Sequence, residues 1–180
     1  MSQIVHTPNK ILTQTAEPVE TVNRQILEII KEMKRALKVA VSPKGVGLAA
    51  PQIGLSLRIF IILPNEKSDI SVFINPEIVK KSKQLSENSP QGKNQLEGCL
   101  SIPRVWGMVK RHESITLKYQ DESAKIHRKE FTGFLAVIIQ HELDHLDGIL
   151  FPRRVLEQKG KLYQPVKDDK GKEVLEEIEI

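Results

Sequence analysis

The stretch Gln140-His141-Glu142-Leu143-Asp144-His145 decides how the rest of the chain is read. If the segment is helical, imidazoles at i and i+4 lie one above the other on one face, spaced to share a metal ion. Glu142 is then turned about 100° from that face. It can reach a water at the ion without being a ligand itself. This is the H-E-x-x-H pattern, whose physical content is two neutral nitrogen donors and a nearby general base for hydrolysis. The alternative is an ordinary helix whose histidines belong to the core or the surface.

The flanks favour a helix. From Glu130 to Leu146 there is no proline, and Phe131, Phe134, Leu135, Val137, Ile138, Ile139 and Leu143 are apolar. That is more than one stripe, so the helix is expected to run from about Glu130 and to be buried on most sides. Gly148 follows the last turn as the expected stop.

The 180 residues suit one domain over 1–180, with 161–180 as a C-terminal tail. With 27 Lys and Arg against 23 Asp and Glu, the net charge is +4, a poor basis for binding DNA. Aromatic residues are scarce, and no zinc-knuckle or helix-turn-helix pattern occurs. No apolar run approaches the roughly 20 residues needed to span a bilayer. Met1–His6 lacks the basic start and apolar run of a signal peptide. A cytoplasmic protein without a membrane anchor is expected. The single cysteine, Cys99, rules out an internal disulfide.

Residues 1–19, with Pro8 and Pro18, read as a wrapped N-terminal segment. Ile26, Ile30, Met33 and Leu37 form a helical stripe, capped at Asn23 or Thr21 and ended by Pro43. The run Gly45–Gly54 carries three glycines and two alanines, so its backbone is sharply turned or closely approached. It lacks the features of a phosphate loop and suits a groove wall with exposed peptide groups, where Gln52 offers both donor and acceptor. The alternative is a tight glycine loop with a surface glutamine.

Arg58–Leu63 and Ser71–Ile74 read as strands, Asn75-Pro76 as a turn, and Ile78-Val79 as the start of another strand. Residues 80–95 are almost wholly polar and read as a solvated loop. In Glu97-Gly98-Cys99-Leu100-Ser101, the thiol is a candidate metal ligand or a buried inert side chain. Ile115, Leu117 and Tyr119 alternate with polar residues as a half-exposed strand. Asp121-Glu122-Ser123 is then a turn before a strand through Ile126. In the tail, Tyr163–Val166 and Val174–Ile180 flank a turn-rich Lys167–Gly171 and suggest a hairpin, with a short helix as the alternative.

Together, Gly45–Gln52, Glu97–Ser101 and His141–Gly148 resemble the three signature motifs of peptide deformylase, in order and approximate spacing. The likeness extends from the N-terminal wrap to Phe151. It implies an α+β fold with antiparallel strands packed around a central metal-binding helix. It also implies a hydrolase that removes the N-formyl group from the initiator methionine of new polypeptides, releasing formate. The family's metal ligands fall on Cys99, His141 and His145, its catalytic glutamate on Glu142 and its oxyanion-stabilising glutamine on Gln52. Leu100 would add a backbone amide to the same task. Gly45, Gly47 and Gly98 would present backbone groups to an extended peptide.

Val46, Phe134, Val137 and Ile138 sit at the positions of the methionine pocket, with His141 at its edge, although all four also suit a core. Arg111 matches an arginine the family keeps, expected to give charge support near Glu97. One divalent ion per chain is implied, commonly Fe2+ in cells, while Zn2+, Ni2+ or Co2+ could take the same donors. The implied partners are N-formylmethionyl nascent peptides, and a monomer is expected. Arg153, Arg154, Lys159 and Lys161 offer a face for transient ribosome contact, with an ordinary solvated face as the alternative.

A thiolate and two neutral imidazoles leave one tetrahedral position for water. Glu142 would take its proton and later protonate the leaving amine. Three departures from the family pattern bear on substrate preference: the long polar loop between Ile78 and Glu97, the unusual ending Leu37–Lys44, and Trp106 beside the groove. Two other functions compete. A zinc peptidase would make unusual use of Cys99 as third ligand. A non-catalytic peptide-binding protein would have no need of Glu142 and Gln52.

Overall fold

The computed structural model describes residues 3–40, 45–86 and 96–179. In chain order, α1 (Arg24–Val39) precedes β1 (Gly47–Ala49), β2 (Ile59–Ile62) and β3 (Ser71–Lys81). Next come β4 (Glu97–Cys99), β5 (Ile102–Gly107), β6 (Ser114–Gln120) and β7 (Ile126–Thr132). The chain ends with α2 (Gly133–Leu146), α3 (Phe151–Glu157), β8 (Leu162–Lys167) and β9 (Glu173–Glu177). The strands form two antiparallel sheets, ordered β1-β2-β3-β6-β7 and β4-β5-β8-β9. The fold class is α+β.

The larger sheet is covered on both faces. Asn23 caps α1 by accepting the Ile26 N–H at 3.1 Å, and Ile26, Ile30, Met33 and Leu37 turn inward. Alternation along β2 sends Ile59 and Ile61 to this α1 side and Phe60 and Ile62 to the α2 side. A strand buried on both faces reads as one continuous apolar run, which is what Ile59–Ile62 is. On the α2 side, Ala136, Ile138, Ile139 and Leu143 pack against Phe73 and Phe131. A third cluster joins Cys99, Val109 and Leu162 to Phe151 and Val155 of α3.

The N-terminal segment straps the site loops together. Val5 N–H donates to the Gln52 carbonyl at 2.8 Å, Thr7 N–H to Ser101 at 3.1 Å and Ala16 N–H to Leu146 at 2.8 Å. Gly148 ends α2 at φ +68°, and a Cβ there would lie 2.7 Å from the Thr13 carbonyl. The stop is thus also the seat of the strap.

Several boundaries differ from the sequence reading. Asn75-Pro76 is no turn: β3 runs through it with a shift in register between Ile74 and Glu77. Asn75, at φ +49°, bonds both backbone groups of Val19 through its side chain, so a bulge replaces the turn. The central helix starts at Gly133 instead of near Glu130, because β7 stays paired with β6 through Thr132. Strand β3 reaches Lys81, and Leu85 bridges to His112. The rest of the expected polar loop (87–95) and the helix stop at Pro43 lie outside the described residues. Strands β1, β4 and β5 and helix α3 had no counterpart in the sequence reading. The tail forms a hairpin, its turn held by Asp168 accepting the N–H groups of Lys170 and Lys172. No helix among the described residues is long and apolar enough to cross a membrane.

Candidate metal centre

Helix α2 places His141 and His145 one turn apart, and the bulge after Gly98 turns Cys99 towards them. One ligand atom from each of the three lies within 4.8 Å of the others. Cys99 Sγ and His145 Nε2 are 3.2 Å apart. Zinc–sulfur and zinc–nitrogen bonds meeting at a tetrahedral angle would put those atoms about 3.5 Å apart, so the cluster has the dimensions of a single-ion site. His145 Nδ1 and Glu142 Oε2 are buried with no hydrogen-bond partner among the described residues. The donor set, two imidazoles and a thiol, fits a borderline-soft divalent cation such as Zn2+ or Fe2+.

The orientation of His141 is fixed from behind. Its Nδ1 lies 2.9 Å from Glu97 Oε2, which leaves Nε2 to face the cluster. Arg111 grips the same carboxylate with two bonds of 2.8 Å and reaches Asp144 at 2.6 Å. Asp144 in turn receives Arg154 of α3 at 2.8 Å. Burial pushes the Glu97 carboxyl up, but the Arg111 guanidinium and His141 outweigh it and hold it at about 2. Burial likewise raises the Cys99 thiol, and the facing His145 and His141 imidazoles bring it well below its ordinary value. The site thus favours the thiolate a metal requires.

This chain of ion pairs is more extensive than the sequence suggested. Arg111 stands beside Glu97 as expected, but Asp144 and Arg154 had no assigned role. Arg154 turns inward to Asp144, while Arg153 pairs with Glu157 and Lys161 with Glu177. Three residues of the basic face considered for ribosome contact, Arg153, Arg154 and Lys161, are therefore paired with the chain's own carboxylates. Arg111 is only 5% exposed. Arg111→Met takes the guanidinium from the buried Glu97 and leaves Asp144 with Arg154 alone of its two arginines, and is expected to cost roughly 3–5 kcal/mol of stability. Metal affinity should fall about 10–100-fold as His141 loses its support. Denaturant titration and competition against a chromogenic chelator measure the two effects; an unchanged affinity would remove Arg111 from the site's supports.

Glu142 is 3% exposed and sits directly against Gly47, where a Cβ would come 2.7 Å from the Glu142 carboxyl carbon. Burial pushes its carboxyl up to about 7, against the pull of the neighbouring imidazoles. Gln52, 2% exposed, accepts the Ala49 N–H at 2.8 Å through Oε1. That bond turns its amide nitrogen towards Cys99 Sγ at 3.5 Å and Ser101 Oγ at 3.3 Å.

These groups open onto a cavity of about 1260 Å³. Its two walls are the outermost strands of the two sheets, β1 and β4. The Val46 carbonyl is taken by the Leu63 N–H at 2.8 Å. By the alternation of an antiparallel edge, the backbone groups of Gly47 point the other way, into the cavity. Gly45, Gly98 and Leu100 line it too. Phe134, Val137, Ile138 and His141 form one face of α2 along its side. Val46 and Ile138 belong to the core as well as to this lining.

Fold and donor set together define a metal-binding α+β enzyme built around an H-E-x-x-H helix. A sequence model of the polypeptide deformylase family matches residues 1–161. The peptide deformylase of Borreliella burgdorferi is 36% identical over 170 residues, covering 94% of this chain and 97% of that protein. The structure of peptide deformylase from Thermotoga maritima matches with a TM-score of 0.75 at 31% identity, over 86% of this chain and 97% of that one. A class I type b peptide deformylase from Acinetobacter baumannii, solved with Met-Ala-Ser bound, matches with a TM-score of 0.73 at 32% identity, over 84% and 96%. The chain belongs to the polypeptide deformylase family.

Proposed function

We propose that this protein hydrolyses the N-formyl group from N-formylmethionyl peptides, releasing formate and a free amino terminus. One observation carries the reading. The unpartnered Glu142 Oε2 and the oriented Gln52 amide both accompany the Cys99–His141–His145 cluster, in a cavity walled by two strand edges. A peptide laid between β1 and β4 would complete both sheets. Gly47 and Gly98 would bond its backbone, while Val46, Phe134, Val137 and Ile138 would take the methionine side chain. The Met-Ala-Ser bound to the Acinetobacter relative begins with methionine and has the form of a peptide that such a hydrolysis would leave.

Cys99, His141 and His145 would hold one divalent ion, which supplies Lewis acidity to a water and to the formyl oxygen. Glu142 takes the water proton at Oε2. The water oxygen adds to the formyl carbon, and the Gln52 amide and Leu100 N–H receive the oxyanion. The carbon–nitrogen bond then breaks as Glu142 returns its proton to the departing amine. Either Fe2+ or Zn2+ suits a thiolate-containing site, and we take Fe2+ as the ion used in cells. We place the protein in the cytoplasm, where formylated chains emerge, and take residues 1–180 as one catalytic unit.

Formate release from formyl-Met-Ala-Ser by anaerobically purified, metal-quantified protein tests this. Turnover should vanish with a chelator and return with Fe2+ or Zn2+. A fully metallated protein that releases no formate, or that cuts internal bonds of unformylated peptides, would overturn it in favour of a binding protein or a peptidase. Gln52→Ala should lower kcat about 10²–10³-fold, the usual loss for one oxyanion donor, with metal content unchanged. A loss below fivefold would reassign Gln52 to a packing role.

A further inference from the structure

We propose that the backbone N–H groups of Val5 and Thr7 form a staple that sets the spacing of the two oxyanion donors, Gln52 and the Leu100 N–H. The proposal rests on the deformylase reading above, which gives those two donors their task. Val5 N–H donates to the Gln52 carbonyl at 2.8 Å, and Thr7 N–H donates to the Ser101 carbonyl at 3.1 Å. Two residues of chain span at most about 7 Å. One short piece of backbone therefore holds Gln52 itself and the residue next to Leu100.

Both held segments are turns. Gln52 lies in the single helical turn Ala50–Ile53, and Leu100-Ser101 is the two-residue link between β4 and β5. Ser101 is fully buried, so its carbonyl requires a partner, and Thr7 supplies it. On the side of the metal cluster, the Gln52 amide joins the two turns by reaching Ser101 Oγ at 3.3 Å. The staple joins the same two turns through their carbonyls. Release of either carbonyl frees one oxyanion donor to move relative to the other.

The staple has a fixed base. Leu12 is fully buried, and Asn9 accepts the Ile11 N–H at 3.1 Å. Ala16 N–H donates to the carbonyl of Leu146, the residue after His145, at 2.8 Å. Asn75 then grips both backbone groups of Val19. The segment thus refers the position of the oxyanion donors to the end of α2. The metal ligands have supports of their own, Glu97 behind His141 and the β4–β5 pairing at Cys99. Loss of the staple should therefore displace the oxyanion donors and leave the metal site intact. Contacts made only in the transition state act on kcat and spare KM.

Val5→Pro and Thr7→Pro each delete one N–H of the staple. With Zn2+-loaded protein and formyl-Met-Ala-Ser, each should lower kcat about 10–100-fold, with KM and metal content unchanged. Val5→Ala and Thr7→Ala keep the N–H and should recover kcat to within about threefold of wild type. Coupling separates positioning from packing. In a Gln52→Ala background, Val5→Pro should cost less than about threefold, because the donor it places is gone. An ester in place of the Ile4–Val5 amide removes the same N–H without a ring, and serves where Val5→Pro does not fold. Wild-type kcat in the proline and ester variants, or independent losses for Val5→Pro and Gln52→Ala, would overturn the staple. Loss of metal, or a rise in KM with kcat unchanged, would equally reduce the segment to a structural strap. Wild-type protein that releases no formate would instead strike the deformylase reading. The staple is then decided by the side-chain amide resonance of Gln52, which should move in Val5→Pro and stay in place in Val5→Ala; an unmoved resonance in both overturns it.

Discussion

Glu142→Gln is expected to reduce turnover of formyl-Met peptides about 10³–10⁴-fold while the protein keeps its metal. The side chain nearly preserves shape and volume, so the packing against Gly47 survives and no cavity opens. What disappears is an oxygen that can take and return a proton. General acid–base catalysis contributes typically 10²–10⁴-fold, and here one carboxyl serves both the attack and the departure. The wild-type carboxyl is 3% exposed, and burial pushes it up to about 7, so its protonated and ionised forms are close in energy. Metal retention is expected because Glu142 is not among Cys99, His141 and His145, which alone form the cluster among the described residues. Single-turnover formate release together with metal content of the purified variant makes the measurement. A variant within tenfold of wild type would show that another group moves the proton. A variant that lost its metal would make Glu142 a ligand.

The sequence disclosed those parts of the molecule whose physics is local. His141 and His145 are one turn apart in any helix, and Asn23 caps α1 from three residues away. The continuous run Ile59–Ile62 and the Asp168 turn are equally self-contained. Features held from a distance stayed hidden. Asn75-Pro76 has the composition of a turn, yet it becomes a bulge because Val19, 56 positions away, supplies both bonds to the Asn75 side chain. Phe131 fits a helical pattern but is claimed by β6, where it faces Ile115. Strands β4 and β5 carry no clean alternation, since Gly98 and Gly107 give up their side chains to Trp106 and Val155. Helix α3 is one Pro-containing segment of seven residues, too short for a periodic signal.

The same divide runs through the site. The three motifs named the residues that meet at the cavity, because each motif is a short run with its own spacing. The buried network behind them was only half legible. Asp144 lies inside the most informative stretch of the chain, but its partners Arg111 and Arg154 are 33 and 10 positions away. Only the folded chain shows that the two arginines join α3 and β4 to the back of His141. That connection makes the orientation of a metal ligand depend on packing well outside the motif.

Gly47→Ala is the second variant with a large expected effect, and its cause separates a substrate-binding glycine from a seat for the base. As an exposed backbone edge, Gly47 would tolerate a methyl group at modest cost, since Ala keeps both the N–H and the carbonyl. The structure adds a different demand. A Cβ at position 47 would stand 2.7 Å from Glu142 Cδ and 3.0 Å from its Cγ. Ordinary carbon contacts are about 3.5–4.0 Å, so one partner must yield. The backbone of β1 is tied to β2 through Gly47–Ala49, which leaves the Glu142 side chain as the part that moves. Its carboxyl should be driven off the position from which it meets the water, lowering kcat about 10²–10³-fold, because even small misplacement of a catalytic group is costly. KM should change little and metal content not at all.

Combining Gly47→Ala with Glu142→Asp supplies the sharper check, because the shorter side chain retracts by one methylene. The double variant should then be more active than the product of the two single losses allows, a coupling that only groups in contact produce. Independent, multiplicative losses would mean that Gly47 and Glu142 do not share space in the working enzyme. A rise in KM with kcat unchanged would return Gly47 to the single role of binding the peptide backbone.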